Sequence, residues 1–543
     1  MIHRLFMRTL GMAGCGAVAA SSLAQPAGNR LNILLITADD LGYEAVGCLN
    51  PGLPDLTPNL DRFAREGLSF KYGHTNTPIC QPSRATIATG RYGSTSGMMG
   101  FIHLKKNIPT IMQSLREAGY ATGILGKVSH STPDMDYKWD FMHDYGELGA
   151  GRNPQRYYQY CSEFFKQCKQ ADRPFYMMVN SHDPHRPFHD PNGKKMKDAA
   201  DPSKLFSPDE VVVQQNLPDL PLVREELSHY YNSVRRLDDT LGKIIQALEE
   251  SGLRDNTLVM FLSDNGASVP FAKANVYLAS TRTPWFVQWP GVVKPGCTDD
   301  EHFVSAVDYF PTVMEAAGLP APEGVDGRSF LPLLKGQKQD GRDVVFKQID
   351  YMIGGPAVPM RCVQDKKYGY IFNAWSSPDA RYKNNNEGDC MKAMEAAAKT
   401  DPAMAERVKM WRQRVVEEFY DLENDPGCLN NLINNPEYKE PAEQFRKQLR
   451  DWMTGIKDPV LQMFDDRNSV SKMQAFLKNG YPTKASLMPD EQRKKKKGGE
   501  DEETSENVSP AEKQDVSSAE KQTDASRAAV RKARRVAPAV VPE

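Results

Sequence analysis

The chain has 543 residues, 40% hydrophobic and 25% charged, with 68 Lys and Arg against 70 Asp and Glu for a formal net charge of −2. That length supports two or more domains around an ample core. The near-zero charge excludes nucleic acid as the main partner, because phosphate binding draws on an excess of Lys and Arg.

Residues 1–24 read as a signal peptide. His3, Arg4 and Arg8 precede an apolar stretch from Leu10 to Ala20, too short to span a bilayer, and Ser22-Leu-Ala24 offers small residues for cleavage. Ala13-Gly-Cys15 is an imperfect lipobox, with Met12 as its unusual residue, so a lipid anchor at Cys15 is the alternative fate. No later segment reads as transmembrane. The expectation is an exported, periplasmic or extracellular protein. If Cys15 leaves with the signal and Cys80 is modified, seven cysteines remain, an odd number that cannot all pair.

The first strand is expected over Leu31-Asn-Ile-Leu-Leu-Ile36, a run apolar enough to be buried on both faces of a parallel sheet, and it ends in Asp39-Asp40. A helix follows from Thr57, with Thr57 as cap, Pro58 at the first helical position and Gly67 as stop. Next comes Thr77-Pro-Ile-Cys-Gln-Pro-Ser-Arg-Ala-Thr-Ile-Ala-Thr-Gly-Arg91. Pro82 fits the first turn of a helix and Gly90 its end, so Cys80 is placed at a helix N-terminus. Free N–H groups and the macrodipole there lower a thiol's pKa and attract a tetrahedral oxyanion, and Arg84 adds a fork for it. The bland alternative is a buried cysteine in a Pro-punctuated turn.

The same pattern recurs along the chain. Ile111–Ala118 reads as a helix, and Tyr120–Leu125 as a strand ending in Gly126-Lys127. Phe175–Val179 reads as a strand ending in Asn-Ser-His182-Asp-Pro-His185. The long helix Leu222–Ser251 precedes the strand Thr257–Leu262, which ends in Ser-Asp264-Asn265-Gly266. Open α/β sheets collect ligands at the carboxyl ends of their strands, so these four polar clusters converge on one pocket. Asp39, Asp40, Asp264 and Asn265 supply three carboxylates and an amide oxygen, a hard-oxygen set suited to Ca²⁺, with Mg²⁺ as the alternative, and costly to bury without a cation. Taken singly, Asp39-Asp40 is also a common helix cap and Asp264-Asn-Gly266 a common turn. Lys127, His130, His182 and His185, taken singly, are also ordinary surface or loop residues.

Cys80-Gln-Pro-Ser-Arg84 followed by Ala-Thr-Ile-Ala-Thr-Gly90 closely resembles the signature of the sulfatases, formylglycine-dependent members of the alkaline phosphatase superfamily. The resemblance implies that a maturation enzyme oxidises Cys80 to formylglycine, whose hydrate is the nucleophile. It also implies that the formylglycine oxygen joins Asp39, Asp40, Asp264 and Asn265 on the metal. Lys127 and His185 match residues that hold the sulfate and protonate the leaving atom; His130 matches the base that helps collapse the intermediate. Lys273 and Arg84 face charge developing on the sulfuryl oxygens.

Ser96-Gly-Met-Met-Gly-Phe-Ile-His103, Ser181-His-Asp-Pro-His-Arg186, Ser263–Tyr277 and Pro359-Met-Arg-Cys-Val-Gln364 resemble the N-sulfoglucosamine sulfohydrolases most, and Phe419–Gly427 resembles the closing sulfatase motif. A sulfated sugar, N-sulfoglucosamine of heparan-type glycans first, is the implied substrate. Two departures stand out. Lys127-Val-Ser-His130 has one residue more than N-sulfatases usually carry and instead resembles iduronate-2-sulfatases, and Lys273 stands where N-sulfatases have arginine, keeping charge but losing bidentate geometry. The alternatives are an O-sulfatase, a phosphonate or phosphodiester hydrolase of the same superfamily, or a non-catalytic glycan-binding relative.

The expected fold is α/β: a large, mixed, mostly parallel sheet flanked by helices over residues 30–340, then a smaller antiparallel sheet with a helix over 341–480. Short strands are expected at Asp343–Ile349 and Tyr368–Phe372, and helices around Pro441–Thr454. Residues 375–415 read as an insertion, with a polar loop at Lys383–Gly388 and a helix from Met391 to Val415, most simply surface decoration. Residues 489–543 lack aromatic residues and apolar periodicity and read as a disordered charged tail.

Overall fold

The computed structural model describes residues 30–104, 107–353, 355–384 and 387–489. The expected signal peptide, Cys15 and the charged tail beyond residue 489 lie outside the described residues.

Eight strands form the main sheet: β1 (Asn32–Asp39), β2 (Leu68–His74), β3 (Ala121–Leu125), β4 (Phe141–His143), β5 (Phe175–Pro184), β6 (Thr257–Ser263), β7 (Trp285–Gln288) and β8 (Cys297–Ser305), in the order β4-β3-β5-β1-β6-β7-β2-β8. Only β7 is antiparallel to its neighbours, so the sheet is mixed and mostly parallel. Alternate residues of the central strands go to opposite faces, and both faces are covered. Leu34, Ile36, Met177, Val179, Val259 and Phe261 join one core with the helices Pro58–Arg65, Pro154–Gln170 and Pro221–Ser251. Ile33, Leu35, Tyr176, Met178, Leu258 and Met260 join another with Ile111–Glu117 and Tyr309–Ala316. Each such side chain contributes about 1.5–3 kcal/mol of burial.

Register decides where the polar strand ends fall. Ile33 of β1 lies opposite Tyr176 and Leu258, Thr37 opposite Asn180, and Ala38 opposite Ser263. Leu125 of β3 lies opposite Val179. The carboxyl ends of β3, β5, β1 and β6 are therefore flush, and the four clusters open on one edge.

One expected detail is corrected. Thr57 makes no side-chain cap to its helix, because its hydroxyl donates to Asp61 Oδ1. The cap comes from Asp238 on the long helix, whose carboxylate accepts from the backbone N–H of Asn59 (3.1 Å) and Leu60 (2.7 Å).

The second sheet is antiparallel, in the order β12-β11-β10-β9: β9 (Val345–Tyr351), β10 (Ala357–Gln364), β11 (Tyr368–Asn373) and β12 (Glu417–Asp421). Val363, Tyr370, Phe372 and Phe419 pack with Phe445, Leu449 and Met453 of the helix Lys439–Gly455, while Ile349, Met360, Cys362, Ile371 and Tyr420 join the main core. Between β11 and β12 the region expected as one helix is two, Gly388–Ala397 and Pro402–Gln413, the second capped by Asp401. It is not surface decoration: Tyr382, Cys390, Met391, Met394 and Trp411 are buried in the main core. The eight cysteines among the described residues are free.

Candidate active site

The helix Cys80–Thr89 starts at the residue the sequence points to and ends on Gly90, whose φ of +62° is a left-handed cap. Every residue of it is buried. The Cys80 thiol donates to Asp39 Oδ1 (3.5 Å) and accepts from Lys273 Nζ (3.5 Å).

One property expected of this helix is corrected. The Cys80 thiol lies well above its ordinary pKa, not below it: burial dominates, Asp39, Asp264 and Asp40 add to it, and Lys273 alone opposes. Arg84 offers an oxyanion only part of its fork, because Nη2 alone of its nitrogens has no hydrogen-bond partner among the described residues. It is fully buried, with Nε donating to Asp264 Oδ2 (3.1 Å), Nη2 in an ion-pair contact with the same oxygen (2.8 Å), and Nη1 donating to Thr37 Oγ1 and Asn180 Oδ1 (both 2.9 Å). Its role is to hold the strand ends of β1, β5 and β6 together. Thr37 and Asn180 were not singled out from sequence; the signal was an amide and a hydroxyl ending otherwise apolar strands.

Asp39, Asp40 and Asp264 place carboxylate oxygens within 4.8 Å of one another. Lys127 Nζ lies 2.6 Å from Asp39 Oδ2, and Lys273 Nζ lies 2.5 Å from Asp40 Oδ1. Burial raises Asp39, but Lys127, His185, Arg84 and Lys273 outweigh it, so its carboxyl sits well below the usual range. Asp264 moves the other way, raised by burial and by Asp39 more than Arg84 offsets. Lys273 is raised despite burial, chiefly by Asp40. Three carboxylates thus meet three cations, so charge alone does not demand a metal ion. The oxygens suit one: Asp40 Oδ2 and Asn265 Oδ1 are buried with no hydrogen-bond partner among the described residues, in a cluster whose carboxylates could hold a metal ion. An anionic substrate entering here adds negative charge that a divalent ion offsets, and this donor set fits Ca²⁺ or Mg²⁺. Asn265 is oriented for it, since its Nδ2 donates to Asp40 Oδ1 (2.7 Å).

The lysines reach the cluster from unusual backbone. Lys127 has a φ of +50°, and Ala274, after Lys273, +59°. Such conformations cost about 1–3 kcal/mol each and persist where the surroundings impose them. His185 sits at the mouth, with Nε2 4.0 Å from Asp40 Oδ2, and burial and Lys127 lower its pKa. His130 is buried on the turn Val128–Ser131 and lies edge-to-face with Phe101. His182 is buried against Tyr145, with its backbone N–H on Gly151 O, and burial and Lys127 lower its pKa more than Asp39 raises it. Contacts therefore link Asp39, Asp40, Cys80, Arg84, Lys127, His185, Asp264, Asn265 and Lys273 in one cluster; His130 flanks it.

Comparison with known proteins agrees with this constellation. The sulfatase family model matches residues 31–319, and a second model, N-sulphoglucosamine sulphohydrolase, C-terminal, matches residues 266–379. The chain belongs to the sulfatase family, whose members are sulfate ester hydrolases. Human N-sulphoglucosamine sulphohydrolase is 30% identical over 464 residues, covering 79% of this chain and 91% of that protein. An ulvan-active sulfatase of Formosa agariphila is 29% identical, covering 79% and 80%. Among solved structures, a 2-O GAG sulfatase superposes with a TM-score of 0.58 at 18% identity, covering 79% of this chain and 93% of that one, a likeness of fold alone. No helix among the described residues is long and apolar enough to cross a membrane.

Proposed function

We propose that the protein is an exported enzyme that hydrolyses the sulfamate or sulfate ester of a sugar, N-sulfoglucosamine of heparan- or heparin-type glycans first, with residue 80 as a formylglycine nucleophile. The observation that carries this is the cluster around Cys80: one buried Sγ lies 3.5 Å from both a carboxylate and a lysine, beside three carboxylates and an unpaired amide oxygen. The sugar is supported by the match of the C-terminal family model and by the human relative. Export rests on residues 1–24, and maturation requires a formylglycine-generating enzyme.

Oxidised to formylglycine, residue 80 would supply a hydrated aldehyde as nucleophile, and a Ca²⁺ or Mg²⁺ ion held by Asp39, Asp40, Asp264 and Asn265 would supply positive charge for the sulfuryl oxygens. The chain's own residues do the rest. Lys273 presents its ammonium beside residue 80, and Lys127 presents its own beside Asp39, so two fixed cations face the incoming sulfate in a water-poor site. Arg84, held by Asp264, Thr37 and Asn180, keeps the carboxylates in place. His185 or Lys127 delivers a proton to the departing amine or alcohol, and His130 takes the proton whose removal frees sulfate. Losing one such donor costs about a hundredfold in rate.

A second reading, O-sulfatase, is favoured by Lys273 in place of arginine and by the Lys127–His130 spacing. Sulfate release measured by ion chromatography separates the two, from N-sulfoglucosamine and from 6-O-sulfated N-acetylglucosamine, with protein co-expressed with a formylglycine-generating enzyme and supplied with Ca²⁺. Release from the N-sulfated sugar supports the first reading, and release from the O-sulfated sugar alone supports the second. Silence on both from protein carrying formylglycine refutes both.

A further inference from the structure

His185 is aimed by its neighbours. Its Nδ1 lies 2.6 Å from the carbonyl oxygen of Arg186; a carbonyl only accepts, so Nδ1 carries the proton of that bond and Nε2 is the nitrogen turned toward Asp40. The carbonyl of His185 itself accepts from Arg152 Nη2 (3.0 Å). The ring therefore points wherever the backbone of residue 186 is held. That backbone is anchored through the Arg186 side chain: Nε and Nη2 donate to Ser268 O (3.1 and 2.9 Å), and Nη1 donates to Glu226 Oε1 (2.6 Å).

Glu226 stands in the first turns of the helix Pro221–Ser251 and is buried, 6% exposed. Its carboxylate accepts from the backbone N–H of Asp389 at Oε1 (2.9 Å) and of Cys390 at Oε2 (2.6 Å), where the inserted helix Gly388–Ala397 begins. Burial raises its pKa, but Arg186 and these donors bring it below the usual range, so it stays ionised. Gly388 makes the seat close: it has a φ of +57°, and a Cβ there would lie 2.1 Å from Glu226 Oε1 and 2.2 Å from Arg186 Nη2. A buried ion pair adds little net stability, which leaves geometry as the better account of this one.

We propose that Glu226, seated by the Gly388–Cys390 turn of the insertion, is a positioning residue that aims His185 at the leaving group. The inference rests on the reading of His185 as the leaving-group proton donor, in which the ring acts as imidazolium: Nδ1–H stays on Arg186 O, and a second proton, taken up at Nε2 from solvent before the step, passes to the leaving nitrogen or oxygen. It gives the insertion a task in the reaction and predicts a loss that depends on how much the leaving group needs a proton. A sugar amine needs one; a nitrophenolate does not.

The test compares wild type, Glu226→Gln and Gly388→Ala, all loaded with Ca²⁺, on N-sulfoglucosamine, 6-O-sulfated N-acetylglucosamine and 4-nitrophenyl sulfate. The mass of the residue-80 peptide and thermal unfolding are measured on the same samples. Glu226→Gln is expected to lower kcat on the sugar about tenfold or more, with KM and the aryl sulfate rate within about threefold of wild type. Formylglycine content should be unchanged, and Tm should fall by only about 3–5 °C, leaving both variants folded at the assay temperature. Gly388→Ala, which leaves the carboxylate in place and disturbs only its seat, must show the same selectivity. Equal losses on sugar and aryl substrates, losses that follow unfolding at the assay temperature or formylglycine content, or no loss, overturn the inference while leaving the proposed function standing. A wild type silent on all three substrates with formylglycine present overturns both.

Discussion

Calcium should stabilise this protein by an amount the site makes calculable. Asp39, Asp40 and Asp264 lie within 4.8 Å of one another, and Asp40 Oδ2 and Asn265 Oδ1 have no hydrogen-bond partner among the described residues, so an ion binds the folded chain at groups that unfolding scatters. At one hundred times Kd the added stability is about 2.7 kcal/mol. An unfolding entropy of about 2.1 cal/mol/K per residue over roughly 450 residues comes to about 1 kcal/mol/K, so Tm should rise by about 3 °C. The assay is a thermal-unfolding titration of EDTA-treated protein with Ca²⁺ and, separately, Mg²⁺. Asp264→Asn removes one carboxylate and the partner of Arg84 at 2.8 Å, and the response should vanish with it. A wild-type Tm that does not move at millimolar levels of either ion, or an Asp264→Asn variant that responds as wild type does, would refute the reasoning.

Three further outcomes follow from particular contacts. Cys80→Ala should abolish sulfate release while leaving the circular dichroism spectrum and Tm near wild type, because a small buried thiol is replaced by a small buried methyl; retained turnover contradicts the nucleophile. Arg361→Met should cost about 3–5 kcal/mol, or about 3–5 °C in Tm, because it strands two buried carboxylates. Asp350 and Asp458 both bond to Arg361, at 2.8 and 2.6 Å, and none of the three side chains is exposed. His74 is buried on β2, and burial, Lys347 and Arg282 keep its pKa well below 6.5. The unfolded chain takes that proton first, so the stability tied to neutral His74 is full above about pH 6.5 and declines below it, by about 1.4 kcal/mol for a full unit. Tm measured from pH 7.5 to 5.5 should fall more steeply for wild type than for His74→Gln, and parallel curves would exclude this.

Much of the site was legible because parallel sheets write it at strand ends. Each of β1, β3, β5 and β6 is a short apolar run closed by polar residues, and flush register does the rest. Short-range grammar also placed Cys80 and Gly90 at the two ends of one helix. What could not be read was whatever depends on a partner far along the chain. Asp238 replaces Thr57 as a helix cap from 179 residues away. The direction of the Cys80 pKa is set first by burial and then by carboxylates at the ends of β1 and β6, and local helix geometry gives the opposite sign. Arg84 reads as a wholly free fork, and only the structure shows that Asn180 and Asp264 take two of its nitrogens and leave Nη2 without a hydrogen-bond partner among the described residues. The insertion reads as decoration because its buried residues are interleaved with charge, and its purchase on Glu226 uses backbone N–H groups that carry no side-chain signature.

The most direct test of the central claim is the fraction of residue 80 present as formylglycine, measured by peptide mass in preparations matured to different extents, set against the rate of sulfate release from N-sulfoglucosamine in the same samples. The account predicts a rate proportional to that fraction and passing through zero when residue 80 is entirely thiol. Undiminished sulfate release from protein whose Cys80 is unmodified would contradict it.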